Sequence, residues 1–227
     1  MVRPTKMKKT IICIDRDGTL INDERDHLFL GRDDDWKTKV KILPYVVDGL
    51  KLLRTIHNST IYMITNQPGV AISDYQLLTL ERAHEVCAYV VDKISSMGAH
   101  IDGYFLCPHA TPEYVKKKAG VTFDEKLVHE CKCLKPALGM VFNALKAENI
   151  TPENANVYVI GDRATDVQTA LNINGIGILV PFENEPGEDE KVKKLEDQTH
   201  IYIARDLLNA AEFIVAREKR SSPSIQD

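Results

Sequence analysis

Two acidic side chains stand two residues apart, just after the first apolar segment of this 227-residue chain. Residues 11–14 are apolar, and Asp15, Asp17 and Gly18 follow them. On an extended segment, residues two apart project to the same side, and a glycine allows a sharp turn directly afterwards. One such carboxylate can attack phosphorus and form an aspartyl-phosphate, while the other protonates the leaving oxygen and later deprotonates water. The pair therefore predicts phosphoryl-transfer chemistry.

This chemistry also requires a cation, because two carboxylates would repel a phosphate dianion. Mg²⁺ prefers oxygen ligands and keeps several bound waters. Asp15, the backbone carbonyl of Asp17 and Asp162 could hold it, and Lys135 would add a second positive charge. We therefore predict a magnesium-assisted site that also contains a lysine.

Polar residues follow other apolar segments in the same way. The Thr65 hydroxyl and the Asn66 amide come after residues 61–64 and can hydrogen-bond phosphoryl oxygens. Asp166 lies four residues after Asp162, where it could orient a metal-bound water or Lys135. It could equally be an acidic residue in the first turn of a helix, where the helix dipole favours it. Any one of these could be an ordinary turn residue, but together they favour a common site.

A second group of residues has the types and spacing of metal ligands. Cys107 and His109 are two apart, as are Cys131 and Cys133. Three thiolates and one imidazole are typical of a closed structural Zn²⁺ site, which would fasten the loop 110–130 beside Lys135. The alternative is that buried cysteines are common and His109 is only a loop residue. The spacing favours zinc.

The elements that position these residues alternate between short β-branched segments and longer helical patterns, as in βαβ units. Predicted strands cover 10–14, 60–65, 103–107, 156–161, 175–180 and 200–204, and predicted helices cover 44–56, 74–97, 136–148, 165–173 and 206–217. The continuously apolar segments 61–64 and 157–160 are typical of buried parallel strands. The pattern predicts a three-layer, Rossmann-like α/β fold: a mostly parallel sheet, helices on both faces and no large cap domain. Open sheets of this kind bind ligands beyond the carboxyl ends of their strands.

The same patterns set the expected domain organisation. We expect a tail over 1–9, one domain over 10–216 with the zinc loop at about 107–133, and a second tail over 217–227. Ser73 is the predicted cap of the helix over 74–97. The acidic and polar segment 182–198 is predicted to be a solvated loop.

Composition narrows the function classes. The chain is 44% hydrophobic and carries a net charge of −4, which disfavours nucleic-acid backbones as partners. No apolar run approaches the roughly 18 to 20 residues that span a bilayer, so we expect no membrane contact. Five cysteines, an odd number, argue against a disulfide framework and favour a cytoplasmic protein with reduced thiols. The expected partner is a small phosphorylated metabolite, and the expected assembly is a monomer or small homo-oligomer.

The ordered motifs resemble those of the haloacid dehalogenase superfamily. They are DRDGT at 15–19, TNQ at 65–67, Lys135 and GDRATD at 161–166. Within that superfamily, the chain resembles the small-cap branch that contains histidinol-phosphate phosphatase and D-glycero-D-manno-heptose 1,7-bisphosphate phosphatase. The resemblance covers roughly residues 9–180.

The resemblance implies Asp15 as the nucleophile, Asp17 as the acid and base, and Mg²⁺ on Asp15, Asp17 and Asp162. Thr65 and Lys135 would share in catalysis and in binding the substrate. The remaining residues implied to bind substrate are Thr19, Asn66 and Gln67, and those implied to support the site are Arg163 and Asp166. This branch also carries a zinc loop, which supports the ligand set of Cys107, His109, Cys131 and Cys133.

One departure from the family concerns the substrate. Relatives carry an arginine directly before the motif lysine, whereas this chain has Leu134. The segment 161–166 favours the histidinol-phosphate relative, while the longer zinc loop and Gly139-Met140 favour the heptose relative. Two rival functions stay open at this stage: a polynucleotide 3′-phosphatase, which shares the first two motifs, and a non-catalytic binding protein with the same fold.

Overall fold

The computed structural model describes residues 8–22, 29–118 and 120–221. Its centre is a six-stranded sheet in the order β3-β2-β1-β4-β5-β6, and every neighbouring pair is parallel. The strands are β1 Lys9–Ile14, β2 Ser59–Asn66, β3 Gly103–Cys107, β4 Ala155–Gly161, β5 Ile176–Leu179 and β6 Ile201–Ile203. All six predicted strands and the predicted α/β fold class are confirmed. The chain order changes direction at β1, so β1 lies between β2 and β4.

Helices cover both faces of this sheet. They are α1 Trp36–Lys39, α2 Val46–Leu53, α3 Leu80–Ser96, α4 Pro112–Lys117, α5 Gly139–Ala147, α6 Ala164–Leu171, α7 Glu188–Val192 and α8 Leu207–Ser221. Alternate residues of β1 enter different cores: Ile12 and Ile14 pack with α2, α3 and α8, whereas Ile11 and Cys13 pack with α5. This two-sided burial explains the continuous apolar character of the strands. Within the described residues, no helix is long and apolar enough to cross a membrane.

The helix predicted over 74–97 starts later than its sequence pattern indicates. Helix α3 begins at Leu80, and its cap is Thr79, whose hydroxyl accepts a hydrogen bond from the backbone N–H of Arg82. The predicted cap, Ser73, instead donates its backbone N–H to Thr122 O at 2.9 Å. The Thr122 N–H in turn donates to the Asp74 carboxylate at 2.6 Å. Pairing with a distant loop therefore overrides the local helical pattern at 73–79.

The solvated loop predicted over 182–198 is partly wrong. It contains helix α7, in which Glu188 and Val192 are buried. Val192 packs against Val167 and Leu179, and the Glu188 carboxylate accepts the backbone N–H of Ala164 at 2.7 Å. An acidic residue at the start of α6 is favoured by the helix dipole, so the composition of this segment misled the prediction.

The two ends of the predicted domain also differ from the expected boundaries. Strand β1 begins at Lys9, and helix α8 continues past position 216 to Ser221. The Glu218 carboxylate accepts hydrogen bonds from Thr10 Oγ1 at 2.7 Å and Tyr158 Oη at 2.6 Å. These bonds tie the end of α8 to β1 and β4. Positions 222–227 of the predicted tail lie outside the described residues.

Candidate active site and metal centre

Strand register brings three polar segments to one edge of the sheet. Ile14 pairs with Met63 of β2 and with Ile160 of β4, so Asp15, Thr65 and Asp162 all lie just beyond these neighbours. The Asp15 N–H donates to Ile160 O at 2.8 Å, which continues the ladder up to the first acid. The position of the site at the carboxyl ends of the strands therefore follows from the pairing of β1 with both neighbours.

Lys135 is buried at the centre of this edge. Its Nζ lies 2.5 Å from Asp15 Oδ1 and 2.6 Å from Asp166 Oδ1, and it donates to the backbone carbonyl of Ile64 at 3.2 Å. Burial lowers the pKa of Lys135, but the charges of Asp15 and Asp166 outweigh that effect and raise it. The lysine is therefore a fixed cation. Asp166 contacts it and also lies in the first turn of α6, so its role in orienting Lys135 stays a prediction.

The Asn66 side chain holds the backbone of Lys135 from both sides. Its Oδ1 accepts from Lys135 N at 3.0 Å, and its Nδ2 donates to Lys135 O at 3.2 Å. The structure thus places Asn66 as a support for the lysine. The predicted contact between Asn66 and a phosphoryl oxygen stays a prediction.

Three buried carboxylates surround this single ammonium group. Ligand oxygens of Asp15, Asp162 and Asp166 lie within 4.8 Å of one another. Burial, with smaller contributions from neighbouring charges, raises the pKa of Asp15 to about 6 and that of Asp162 to about 9. Asp162 Oδ1 is buried and has no hydrogen-bond donor within the described residues. Mg²⁺ prefers oxygen ligands such as carboxylates, and this buried acidic cluster provides them, including one oxygen without a partner among the described residues.

Two glycines make room for these acids. A Cβ on Gly18 would lie 2.4 Å from Asp162 Oδ2, and Gly18 has a φ of +77°, which other residues rarely adopt. A Cβ on Gly161 would lie 2.2 Å from Asp166 Cγ. Both glycines are therefore required by the close approach of the carboxylates.

Asp17 lies next to this cluster and faces a separate set of donors. Gln67 Nε2 donates to Asp17 Oδ2 at 2.8 Å, and Thr65 Oγ1 lies 3.4 Å from the same oxygen. The Arg16 Nε donates to Asp17 Oδ1 at 3.0 Å, and the Arg16 Nη2 lies 2.9 Å from Oδ2. The predicted acid and base is thus held by the predicted residues Thr65 and Gln67 and by an arginine that the sequence analysis did not single out.

Two predicted site residues remain, Thr19 and Arg163, and the Arg163 Nε lies 3.9 Å from Asp162 Oδ2. The Thr19 hydroxyl is buried without a partner among the described residues, and Thr19 does not line the cleft. Arg163 lines the cleft and pairs with Glu185 at 2.5 Å, while its backbone N–H donates to Asp166 Oδ2 at 3.2 Å. Substrate contacts of Thr19 and Arg163 stay predictions.

A cleft of about 600 Å³ opens above the acids. Asp15, Asp17 and Lys135 line its floor, and its rim includes Tyr114 and Lys118, at and just after α4. The Tyr114 hydroxyl is buried and lacks a hydrogen-bond partner within the described ranges. Elements near the mouth, rather than a separate domain, therefore border the space available to a substrate. Residues 23–28, which precede the cleft residue Phe29, lie outside the described residues.

The predicted zinc ligands come together at one side of the cleft. His109 Nδ1 lies 3.5 Å from Cys107 Sγ and 3.2 Å from Cys133 Sγ, and Cys131 Sγ lies 3.5 Å from both other sulfurs. The remaining pair, Cys107 and Cys133, is 2.8 Å apart. Zn–S bonds of about 2.3 Å in a tetrahedron separate ligand atoms by roughly 3.8 Å. All four ligand atoms lie within 4.8 Å of one another, and the five separations above are shorter than in such a tetrahedron, so the three thiols and the imidazole are close enough to share one ion.

This cluster closes a loop that contains little regular structure. Cys107 is the last residue of β3, and between it and Cys131 the described residues form only α4 and a 3₁₀ turn, Glu125–Leu127. The Leu134 N–H donates to Cys131 Sγ at 3.3 Å, directly before Lys135. His109 itself lines the cleft. The cysteine–histidine cluster and Lys135 are therefore close together, since Cys133 is two residues before Lys135 and His109 and Lys135 line the same cleft.

Sequence reasoning missed Arg16, Tyr114 and Lys118. A charged residue between two acids at the end of a buried strand could have identified Arg16, because a buried cation requires a partner. No local signal distinguishes Tyr114 or Lys118 from other residues of a polar loop. Their position follows from the fold of the loop.

Comparison with known proteins identifies a matching family and similar sequences. Residues 132–210 match the HAD-hydrolase-like family. The histidine biosynthesis bifunctional protein HisB of Baumannia cicadellinicola is 30% identical over 173 residues, which cover 76% of this chain and 41% of HisB. HisB of Buchnera aphidicola subsp. Baizongia pistaciae is 30% identical over 212 residues, 93% of this chain and 52% of that protein. The chain thus spans about half or less of the length of these relatives.

Solved structures share the fold. The D,D-heptose 1,7-bisphosphate phosphatase of B. bronchiseptica, complexed with magnesium and phosphate, matches with a TM-score of 0.66 at 21% identity. The match covers 92% of this chain and 99% of that one. The enzyme of the same name from Burkholderia thailandensis gives a TM-score of 0.55 at 15% identity, with the same coverage. These structures show that the chain shares their fold, and the HisB sequences support the resemblance drawn from the motifs.

Proposed function

We propose, from the chain's membership of the haloacid dehalogenase-like hydrolases, that it is a magnesium-dependent phosphomonoesterase acting on a small phosphorylated metabolite. The observation that carries the proposal is the buried contact of Lys135 with Asp15, with Asp17 two residues further on. A carboxylate held against a fixed cation at the base of a cleft is placed to meet a phosphate dianion.

The reaction would proceed in two displacements. Asp15 attacks phosphorus and forms an acyl-phosphate bond while the P–O bond to the leaving group breaks, and protonated Asp17 gives its proton to the leaving oxygen. Asp17, now a carboxylate, then takes a proton from water as that water attacks the phosphorus of the aspartyl-phosphate. Inorganic phosphate leaves, and Asp15 is restored. Lys135 offsets the negative charge on Asp15 and on the phosphoryl group throughout.

Asp15 and Asp162, with the Asp17 carbonyl, would hold the Mg²⁺. When bound, this ion supplies positive charge that draws the phosphate dianion towards the carboxylates. The unpartnered Asp162 Oδ1 fits a divalent cation, and so does the excess of three carboxylates over Lys135 and the Arg163 guanidinium, whose Nε lies 3.9 Å from Asp162 Oδ2. Asp166 would remain with Lys135, since its Oδ1 lies 2.6 Å from Nζ.

The cluster of Cys107, His109, Cys131 and Cys133 would hold a structural Zn²⁺, because soft ligands in a closed tetrahedron favour that ion. All five cysteines are free thiols, and we propose a cytoplasmic location on the expectation of reduced thiols. Among substrates, the relatives named above suggest two types, histidinol phosphate and heptose 1,7-bisphosphate. The cleft volume suits either one.

The test is phosphate release from a panel containing histidinol phosphate, D-glycero-D-manno-heptose 1,7-bisphosphate and a 3′-phosphorylated oligonucleotide, each with and without Mg²⁺. We expect magnesium-dependent turnover of one small ester far above the others. Faster turnover of the oligonucleotide would replace the proposal with a polynucleotide 3′-phosphatase. Absence of any magnesium-dependent release would favour a non-catalytic binding protein.

A further inference from the structure

We propose that Arg16 is a positioning residue for proton transfer: its guanidinium aims the oxygen of Asp17 that exchanges a proton with the leaving group and with water. The inference rests on the phosphatase function proposed above, and it assigns a role to a residue that lies beneath the site without reaching the cleft. Three observations carry it: the burial of Arg16, the geometry of its contact with Asp17, and the unequal surroundings of the two Asp17 oxygens.

The Arg16 side chain is only 1% exposed, so its charge is fully removed from water. Besides Asp17, the hydrogen-bonding side-chain partner that the described residues provide is the thiol of Cys87, 3.5 Å from Nη1. Burying a cation is costly unless a carboxylate compensates it, and an apolar residue of similar size would often be as stable. Stability alone therefore gives no reason for a guanidinium at this position.

Arg16 contacts Asp17 through one hydrogen bond and one ion-pair approach. Nε donates to Asp17 Oδ1 at 3.0 Å, whereas Nη2 lies 2.9 Å from Oδ2 without hydrogen-bond geometry. The Nε hydrogen bond from a planar, always charged group fixes the direction of Oδ1. A lysine at the same place would supply the charge without this Nε–H donor.

The two oxygens of Asp17 differ in their remaining partners. Oδ2 lies within hydrogen-bond distance of Gln67 Nε2 and Thr65 Oγ1, whereas Oδ1 meets only Arg16 Nε among the described residues. The Asp17 side chain is 24% exposed, so it retains access to the cleft. Oδ1 has fewer donors competing for its lone pairs than Oδ2, so we assign it the proton, and Arg16 sets its direction.

The contact of Arg16 with Asp17 would matter at the step in which Asp17 transfers its proton. As the bond to the leaving group breaks, the proton moves from Asp17 to the leaving oxygen, and Asp17 becomes a carboxylate that the guanidinium stabilises. A positioned proton donor contributes about 10²–10⁴-fold to such steps. The contribution is needed when the leaving group is an alkoxide and hardly needed when it departs as a stable phenolate.

The experiment compares two esters in Arg16→Lys and Arg16→Met: p-nitrophenyl phosphate, whose leaving group needs no proton, and glycerol 2-phosphate, whose leaving group does. We expect kcat/KM for glycerol 2-phosphate to fall by roughly 30- to 100-fold, and that for p-nitrophenyl phosphate by less than about threefold. Because kcat/KM reports steps up to departure of the leaving group, the ratio isolates proton delivery. A general loss of folding would lower both values equally.

Arg16→Lys is the decisive variant, since it keeps the buried charge and loses the Nε hydrogen bond to Asp17 Oδ1. A matched control is Cys87→Ala, which removes the thiol contact and leaves the contact with Asp17 intact; its ratio should equal that of the wild type. Circular dichroism and thermal unfolding establish that each variant is folded, and if Arg16→Met does not fold, the comparison rests on Arg16→Lys. An unchanged ratio of the two esters in Arg16→Lys overturns the inference. Failure of the wild type to hydrolyse either ester with Mg²⁺ would instead remove the proposed function.

Discussion

The catalytic edge and the cysteine–histidine cluster lie side by side but are held in different ways. The acids of the catalytic edge follow strands β1 and β4, whose backbones pair from Lys9 to Ile14. Lys135, although it lies outside any strand, is fixed by Asn66 at the end of β2. Every charged group at that edge is thus positioned by the sheet or by a residue attached to it.

The cluster has no comparable scaffold beyond Cys107. Cys131 and Cys133 are only half-buried and belong to no helix or strand. The loop between the two ligand pairs makes two isolated bridges, a parallel one between Ala110 and Val128 and an antiparallel one between Phe123 and Ile72. We therefore expect the geometry of the acids to depend on the folded sheet, and the geometry of the cysteine–histidine cluster to depend more strongly on a bound ion. Perturbing one region should therefore leave the other largely intact.

The largest effect should follow from Asp15→Asn. An amide cannot attack phosphorus, so we expect turnover of the best substrate to fall by about a thousandfold or more. The sheet should remain folded, because the substitution changes one side chain beyond the end of β1. Phosphate release and circular dichroism measure the two parts of this prediction.

The zinc content of Asp15→Asn tests whether the two regions are independent. Zinc should stay at about one ion per chain in Asp15→Asn, as in the wild type. Appreciable residual hydrolysis would show that the nucleophile is misassigned. Loss of zinc would show that the two regions are coupled.

Cys133→Ser tests the other region. Removal of one thiolate should lower zinc content well below one ion per chain and expose the loop 110–130 to limited proteolysis. The core of the sheet should stay protected, and activity should fall through a higher KM because the loop borders the cleft. Cys87→Ala is the matched control, since it removes a buried thiol outside the cluster. Unfolding of the whole domain on zinc removal would contradict the separation of the two regions.

The comparison also explains which features the sequence could predict. The strands were identified because each is apolar on both faces, and the acids because they follow those strands directly. The ligands of the cluster were identified by residue type and spacing alone. Their proximity depends on the conformation of the loop between them. That loop has no periodic sequence pattern from which its conformation could be predicted.

Features that depend on contacts between distant segments could not be predicted from local sequence patterns. Residues 74–79 have a helical sequence pattern but do not form a helix, because Ser73 and Asp74 hydrogen-bond with Thr122 instead. Glu188 looked like an ordinary solvated acid, yet it is buried at the start of α6. Arg16 had a recognisable signal, a charge at the end of a buried strand, but its partner became evident only from the fold.

A smaller effect should appear in the pH dependence of stability. Burial raises the pKa of Asp162 to about 9. The folded protein therefore holds a proton that the unfolded chain has already released, so without divalent cations its stability should fall as pH rises from the ordinary carboxyl range towards 9. Asp162→Asn should raise the melting temperature in EDTA at about pH 8 by roughly 3–6 °C, with little change near pH 4.

The effect of added Mg²⁺ on stability provides a second test of Asp162. The ion should stabilise the wild type more at about pH 8 than at about pH 5, because it competes with protons for the carboxylates. The gain should be smaller in Asp162→Asn. Thermal unfolding across pH, with EDTA or Mg²⁺, measures both effects. Equal stabilisation of the two proteins would show that Asp162 is not a ligand.

The smallest effect concerns the border of the cleft, where the two regions meet. Lys118 follows α4 and lines the cleft, and its Nζ lies 5.8 Å from the centre of the Tyr114 ring. Two other cations of the border, Arg163 and Lys191, are each paired with a glutamate at 2.5 Å, whereas Lys118 has no ion pair within the described ranges. A bisphosphate would meet this uncompensated charge with its second phosphate.

Lys118→Ala should therefore raise KM for a sugar bisphosphate by roughly threefold, with kcat unchanged, and the effect should weaken at high salt. KM for a monophosphate should change less. Lys117→Ala is the matched control, because Lys117 belongs to the same helix but pairs with Glu113 and does not line the cleft. Equal effects of the two substitutions would mean that the loop contributes only general positive charge. An effect confined to Lys118 and to the bisphosphate would mean that the metal-fastened loop takes part in selecting the substrate, while the sheet carries the chemistry.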